Sequence, residues 1–321
     1  MNKVVVTGSR GLIGRSLCRR LADLGCEVIE FDCGIAPDAS GFGNVLDPAN
    51  CHRAIAQADG VFHLAAVSRV IWGERDPQLC MAVNTVGTAN ILAACQAAPQ
   101  PPWIAVASSR EVYGQALQLP VAEHAPKQPP NVYARSKCHA EQAVEHAARQ
   151  GLRAGFVRLS SVYGDAFDHA TRVVPAFVTA ALGGQPLNVE GAEGVLDFTH
   201  AEDVARGLVM LGHSIAKGAW HGPLHFVSGQ PTSLLDLAKI IIRLTDSRST
   251  VHVVAARTYD VSQFVGNPAK ALRELGWQNE TPLEDGVAKL IAEYRTIPAR
   301  NRLRPSGQSL TRCGARGKQP A

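Results

Sequence analysis

The sequence predicts an α/β protein, a doubly wound parallel sheet followed by a smaller C-terminal lobe, and three observations carry that prediction. Short β-branched runs alternate with helical stretches through the first 160 residues. A glycine-rich turn from Gly8 to Gly14 joins the first strand to the first helix, and Asp32 closes the second strand. Strand-helix alternation at this spacing is what parallel strands joined by crossover helices require.

In order, KVVVT at residues 3–7 is a β-branched run and reads as the first strand. Residues 12–24 place Ile13, Leu17, Leu21 and Leu24 on one helical face. Further strands are expected at 27–32, 60–64, 103–107 and 153–159, with helices at 51–58, 78–98 and 133–150. From about Ser161 the loops lengthen. Helices are expected near 174–182, 201–211, 234–245 and 283–294, and short strands near 187–189, 224–227 and 251–254. The expected division is a dinucleotide-binding domain over 1–160, a mainly substrate-binding lobe over 161–296 partly interleaved with it, and an unstructured basic tail over 297–321.

The 321 residues are 46% hydrophobic and 19% charged, a globular balance that excludes extended disorder or coiled coil as the main architecture. The net charge of +4 is a property of the tail: beyond Pro298 lie six basic residues and no acidic one, and six taken from 32 leaves 26 against 28 acidic. The body is then slightly acidic and the tail has no aromatic side chain for base stacking, so no nucleic-acid partner is expected. No uninterrupted apolar run of about 18 residues occurs, so no membrane span is expected. No basic-then-apolar leader precedes the first strand, and a cytoplasmic location follows as the expectation. Eight cysteines without a C-x-x-C pair, and eleven histidines without ligand spacing, argue against a metal site.

The loop TGSRGLIG, Thr7 to Gly14, sits where a phosphate cradle is built. Gly8 allows a tight turn, Gly11 a close backbone approach, and Gly14 close packing of helix on strand, with the helix N-terminus facing the anion. Asp32 at the end of the second strand can accept from both hydroxyls of an adenosine ribose and would repel a 2′-phosphate, which favours NAD over NADP. Arg10 inside the loop is the contrary sign.

Tyr133 and Lys137 in YARSK lie four residues apart, on one helical face. A phenol has an ordinary pKa near about 10, and a fixed cation nearby favours phenolate, so the pair reads as a proton acceptor and its tuner. Ser109, in SSREVYG after the fourth strand, places a hydroxyl at the strand end where ligands bind in open α/β sheets.

These motifs, in this order, resemble the extended short-chain dehydrogenase/reductase group, the NAD-dependent nucleotide-sugar epimerases and dehydratases with a Rossmann fold. The resemblance runs from Lys3 to Tyr294 and also takes in FHLAA at 62–66, NTVGTANIL from Asn84, RLSSVYG at 158–164, LDFTHAEDVA at 196–205 and LRELGW at 272–277. It implies that Gly8, Arg10, Gly11, Leu12, Ile13, Gly14, Asp32, Leu46, Asp47, Leu64, Ala65, Ala66 and Lys137 hold NAD, with Asp47 at the adenine and Lys137 on the nicotinamide ribose. Ser109 would bond the reacting sugar hydroxyl, and Asn84 would order the active-site helices or cap one. A homodimer through the helices at 78–98 and 133–150 is the implied assembly.

The implied reaction is a UDP-glucose 4-epimerase-like inversion through a transient keto sugar, with Tyr133, Lys137, Ser109 and Glu111 in the catalytic set. Glu111 keeps 4,6-dehydration and decarboxylation open, but the dehydratase pattern has a proton-donating Asp where this chain has Arg110. Ser161 stands where the family has a substrate-binding Asn, and Leu196 where it has an Arg. These departures leave Arg172 and Arg257 as candidates for the substrate phosphates and keep a net sugar or carbonyl oxidoreductase as a further alternative.

Overall fold

The computed structural model describes residues 1–256 and 261–297. Its strands are β1 (Lys3–Thr7), β2 (Glu27–Phe31), β3 (Gly60–His63), β4 (Trp103–Ser109), β5 (Ala154–Leu159), β6 (Ser161–Tyr163), β7 (Leu187–Glu190), β8 (Val195–His200), β9 (His221–Phe226), β10 (Pro231–Ser233) and β11 (Val251–Val254). Its α-helices are α1 (Leu12–Asp23), α2 (Pro48–Ile55), α3 (Val70–Arg75), α4 (Pro77–Met81), α5 (Gly87–Ala97), α6 (Val132–Arg149), α7 (Val173–Leu182), α8 (Ala201–Ala216), α9 (Leu234–Thr245), α10 (Ala269–Leu275) and α11 (Leu283–Thr296).

Six parallel strands form the main sheet in the order β2-β1-β3-β4-β5-β9. The chain leaves β1 toward β2 on one side and returns to β3 on the other, so the switch in strand order lies between β1 and β3. That is where such sheets open a ligand crevice at their carboxyl ends. Buried Val, Ile and Phe on both faces explain the near-continuous apolar strands. Helices α2, α5 and α6 cover one face, and α1, α8 and α10 the other. Each large side chain fully buried there, such as Phe62 or Trp103, contributes roughly 1.5–3 kcal/mol.

A second core gathers Val178, Leu187, Leu237, Ile241 and Leu290 from α7, β7, α9 and α11. Two small sheets, β10-β8-β6 and β11-β7, accompany it.

Several expectations are corrected. The second helix starts three residues earlier than expected because Asp47 caps it, accepting from the N–H groups of Ala49 and Asn50, and Pro48 occupies its first turn. The expected helix over 78–98 is α4, a wider i-to-i+5 turn over Ala82–Val86, and α5. The run Pro77–Ala97 is long and apolar enough for a membrane span by length alone, but Asn84 and Thr88 inside it are buried and hydrogen-bonded to protein. The expected strand near 224–227 is β9, which joins the main sheet beside β5 rather than a separate lobe. The expected basic tail lies, beyond Ile297, outside the described residues.

Candidate active site

A cleft of about 770 Å³ opens along the carboxyl ends of β1, β2, β3 and β4 and continues to the second core. At its floor Gly8 has φ +70°, and a Cβ there would lie 2.8 Å from the Ala65 nitrogen. A Cβ on Gly14 would lie 2.1 Å from the Gly8 carbonyl oxygen. These positions admit only glycine while the loop keeps this shape. Gly11 precedes α1 without a side-chain cap, and the first turn carries no acidic residue. The free first-turn N–H groups, beside cleft-lining Gly11, Leu12, Ile13 and Gly14, fit a pyrophosphate.

His63 explains how this floor is held. The Thr7 hydroxyl accepts from the N–H groups of Leu64 and Ala65, each at 3.1 Å, so its own proton goes to His63 Nδ1 at 2.8 Å. Thr88 spends its proton on the Asn84 carbonyl and accepts from His63 Nε2 at 3.0 Å. The ring is therefore neutral, and burial pushes its pKa down to about 3, with the Lys137 charge adding to the fall. Leu64, Ala65 and Ala66 reach the cleft as expected of FHLAA.

Asp32 lines the cleft and accepts from the N–H groups of Arg10 at 2.9 Å and Gly34 at 2.7 Å. Arg10 also lines it, but its Nε lies 2.9 Å from the Glu30 carboxylate. Leu46 and Asp47 are not brought to the cleft wall, where Val45 stands instead, because the Asp47 carboxylate is committed to the cap of α2. The two-residue offset is invisible in a motif and follows from where α2 begins.

Ser109 ends β4, and Tyr133 and Lys137 project from the first two turns of α6, which Asn131 caps by accepting from the Ala134 N–H. Ser109 and Tyr133 line the cleft together, and the Ser109 hydroxyl accepts from the Glu111 N–H at 3.2 Å. Lys137 Nζ donates to the Ala107 carbonyl at 2.9 Å and lies 6.0 Å from the Tyr133 ring centre. Burial pushes the phenol up to about 12, opposed first by Ser109 and aided by the Glu111 carboxylate, while Arg172 also pulls it down. Burial lowers Lys137 to about 8. The Lys137 ammonium is thus held by a backbone carbonyl beside the Tyr133 ring, and Ser109 and Arg172 oppose the rise of the phenol. Asn84 sits in the wider turn before α5 and bonds Val67 and the Ser136 hydroxyl, tying the Ala66 loop to α6.

Glu111 is buried in the cleft wall, with Arg110 Nη2 at 3.0 Å and Asn131 Nδ2 at 3.4 Å. On the side of the second core, Ser161, Leu196 and Arg172 line the cleft. Arg172 Nε lies 3.4 Å from the buried Asp168 carboxylate, and its Nη2 donates to Ser68 at 3.2 Å. Arg257 lies outside the described residues. The sequence reading missed Arg69, whose guanidinium bonds the Thr171 hydroxyl and carbonyl and lies over Trp72. Arg69 directly precedes the six-residue helix α3, which is too short for a periodic signal; the only hint in the sequence is the Asp76–Pro77 break after it.

A family model described as the NAD dependent epimerase/dehydratase family matches residues 4–221. The chain belongs to this family. Among epimerase/dehydratase relatives, "Probable UDP-glucuronate 4-epimerase" of Rhizobium meliloti (strain 1021) is 25% identical, with 91% of this chain and 96% of that protein covered. UDP-glucuronic acid decarboxylase 1 of Arabidopsis thaliana is 24% identical, covering 91% of this chain and 70% of that one. MoeE5 solved with UDP-glucose and NAD superposes with TM-score 0.84 at 28% identity, over 92% of this chain and 99% of that one. The glycine cradle, the uncapped N-terminus of α1 and Asp32 suit the NAD dependence of the epimerase/dehydratase family.

Proposed function

We propose that this protein is a nucleotide-sugar epimerase that inverts a ring carbon through a transient ketone. The observation that carries the reading is Ser109, Tyr133 and Lys137 gathered in the wall of the cleft that the glycine cradle floors, with Glu111 paired to Arg110. The cradle residues, Asp32 and Lys137 would hold NAD, which when bound supplies the hydride acceptor and a positively charged ring. With that positive charge and the Lys137 ammonium favouring its phenolate, Tyr133 in that form takes the proton of the sugar hydroxyl and becomes the neutral phenol, and Ser109 orients that hydroxyl. Lys137 contributes a cation already held by Ala107. The keto sugar then turns in the cleft and is reduced from its other face, so no net oxidation results.

Arg69 and Arg172, on the substrate side of the cleft, are the described cations offered to a nucleoside diphosphate, with Ser161 beside them. Decarboxylation or elimination through Glu111 is the second reading, favoured by its place in the cleft wall, and it requires Glu111 to leave Arg110. We place the enzyme in the cytoplasm as a homodimer joined through α5 and α6, where Ala89 and Ala93 leave a small-residue surface exposed. Incubation of the NAD-loaded protein with UDP-sugars, followed by anion-exchange chromatography, should give a pair of C4 isomers without accumulation of NADH. Stoichiometric NADH would replace this reading with net oxidation.

A further inference from the structure

We propose that Arg110 sets substrate choice, by receiving a carboxylate carried on the sugar ring. The inference rests on the nucleotide-sugar reading above and narrows it from hexoses in general to uronic acids.

Arg110 follows Ser109 directly, so its backbone is fixed at the end of β4 beside the group that faces the reacting hydroxyl. Its side chain is only 12% exposed and lines the cleft. One edge of the guanidinium is used: Nη2 lies 3.0 Å from Glu111. The plane lies 5.6 Å over the Phe264 ring, which is itself fully buried against Tyr113, so the group cannot swing away without losing that packing. The other terminal nitrogen, Nη1, is buried and makes no hydrogen bond among the described residues.

A buried donor left unpaired costs stability, and a structure keeps one where a ligand answers it. A guanidinium does not give up its proton at neutral pH, so Arg110 is not an acid for elimination. What it offers is a rigid fork, the shape that a carboxylate matches with two oxygens. A diphosphate oxygen has similar chemistry. The position of Arg110 next to Ser109 places it at the reacting ring, whereas Arg69 and Arg172 lie with Thr171, Ser68 and Asp168. A uronic-acid carboxylate is the anion that a sugar ring itself carries.

The test compares UDP-glucuronic acid with UDP-glucose on the NAD-loaded protein, by initial rates and by calorimetric affinity. Both sugars carry the diphosphate and only one carries the carboxylate. The wild type should favour the uronate by about tenfold or more in kcat/KM and in Kd. Arg110→Met should lower the uronate values roughly a hundredfold more than the neutral-sugar values, and Arg110→Lys should recover part of the difference. Because Arg110→Met leaves Glu111 buried without its partner, the double variant Arg110→Met, Glu111→Gln is measured beside it and should show the same change in ratio. A wild-type preference for UDP-glucose, or an equal loss on both sugars, overturns the inference while the epimerase reading stands. If neither sugar turns over, the epimerase reading fails, and the affinity ratio alone decides the role of Arg110.

Discussion

The Arg10 guanidinium lies 2.9 Å from the Glu30 carboxylate, so the one cation of the glycine loop is answered from β2. Asp32, two residues on, accepts the backbone N–H of Arg10. A 2′-phosphate would meet two carboxylates and a cation already engaged. The double variant Glu30→Gln, Asp32→Asn should therefore raise the affinity for NADP relative to NAD by roughly tenfold or more. Fluorescence titration with both reduced cofactors reads the ratio, and an unchanged ratio would reject this account of cofactor choice.

Tyr133→Phe removes the proton acceptor and keeps the ring that packs in the first core. Turnover should fall by about 10²–10⁴-fold while NAD affinity stays within about twofold. Rapid-quench turnover with a UDP-sugar and a separate NAD titration distinguish the two quantities.

Lys137 gives opposite pH trends for activity and stability. Its folded-state pKa is lowered from 10.5 to about 8 by burial, so the ammonium is lost as pH rises through about 8, and turnover that uses this charge should decline there. Between about 8 and 10.5 the unfolded chain holds a proton that the folded chain has released, so stability rises with pH across that window. Lys137→Met should remove that stability rise and lower turnover at all pH values. Urea denaturation and initial rates at matched pH check both.

Acid should weaken the fold through two buried histidines. Burial lowers His63 and His225 from 6.5 to about 3, so between those values the unfolded chain binds protons that the folded one excludes. Stability is lost as pH falls from about 6.5 toward about 3, at up to roughly 1.4 kcal/mol per pH unit for each ring. His63→Gln should make the acid slope shallower by up to one proton. It should also weaken NAD binding, because the Thr7 bond that steadies Leu64 and Ala65 is disturbed. An unchanged acid slope would show that other groups carry it.

Elements with their own periodicity were legible in the sequence: Lys3–Thr7, Leu234–Thr245 and Val251–Val254 form as expected, and α1 and α6 within one residue at each end. Ser109, Tyr133 and Lys137 were legible as a group because their spacing follows from one strand end and one helix face. What depends on distant pairing was not. The strand β9 belongs to the main sheet because it pairs with β5, and β6 exists only through its parallel pairing with β8. Asp47 could be recognised as a carboxylate in a motif, but whether it faces the cleft or caps α2 depends on the helix start. The hydrogen-bond chain from Thr7 through His63 to Thr88 joins three elements and leaves no trace at any single spacing.

The central claim is inversion through a ketone with Glu111 held by Arg110. It is tested most directly by converting UDP-glucuronic acid and UDP-glucose in heavy water with the NAD-loaded protein and reading the products by NMR. The account predicts C4 isomers with no deuterium at any ring carbon and no release of carbon dioxide. Deuterium in the ring or at C6, or loss of the carboxylate, would contradict it and assign Glu111 the chemistry of elimination or decarboxylation.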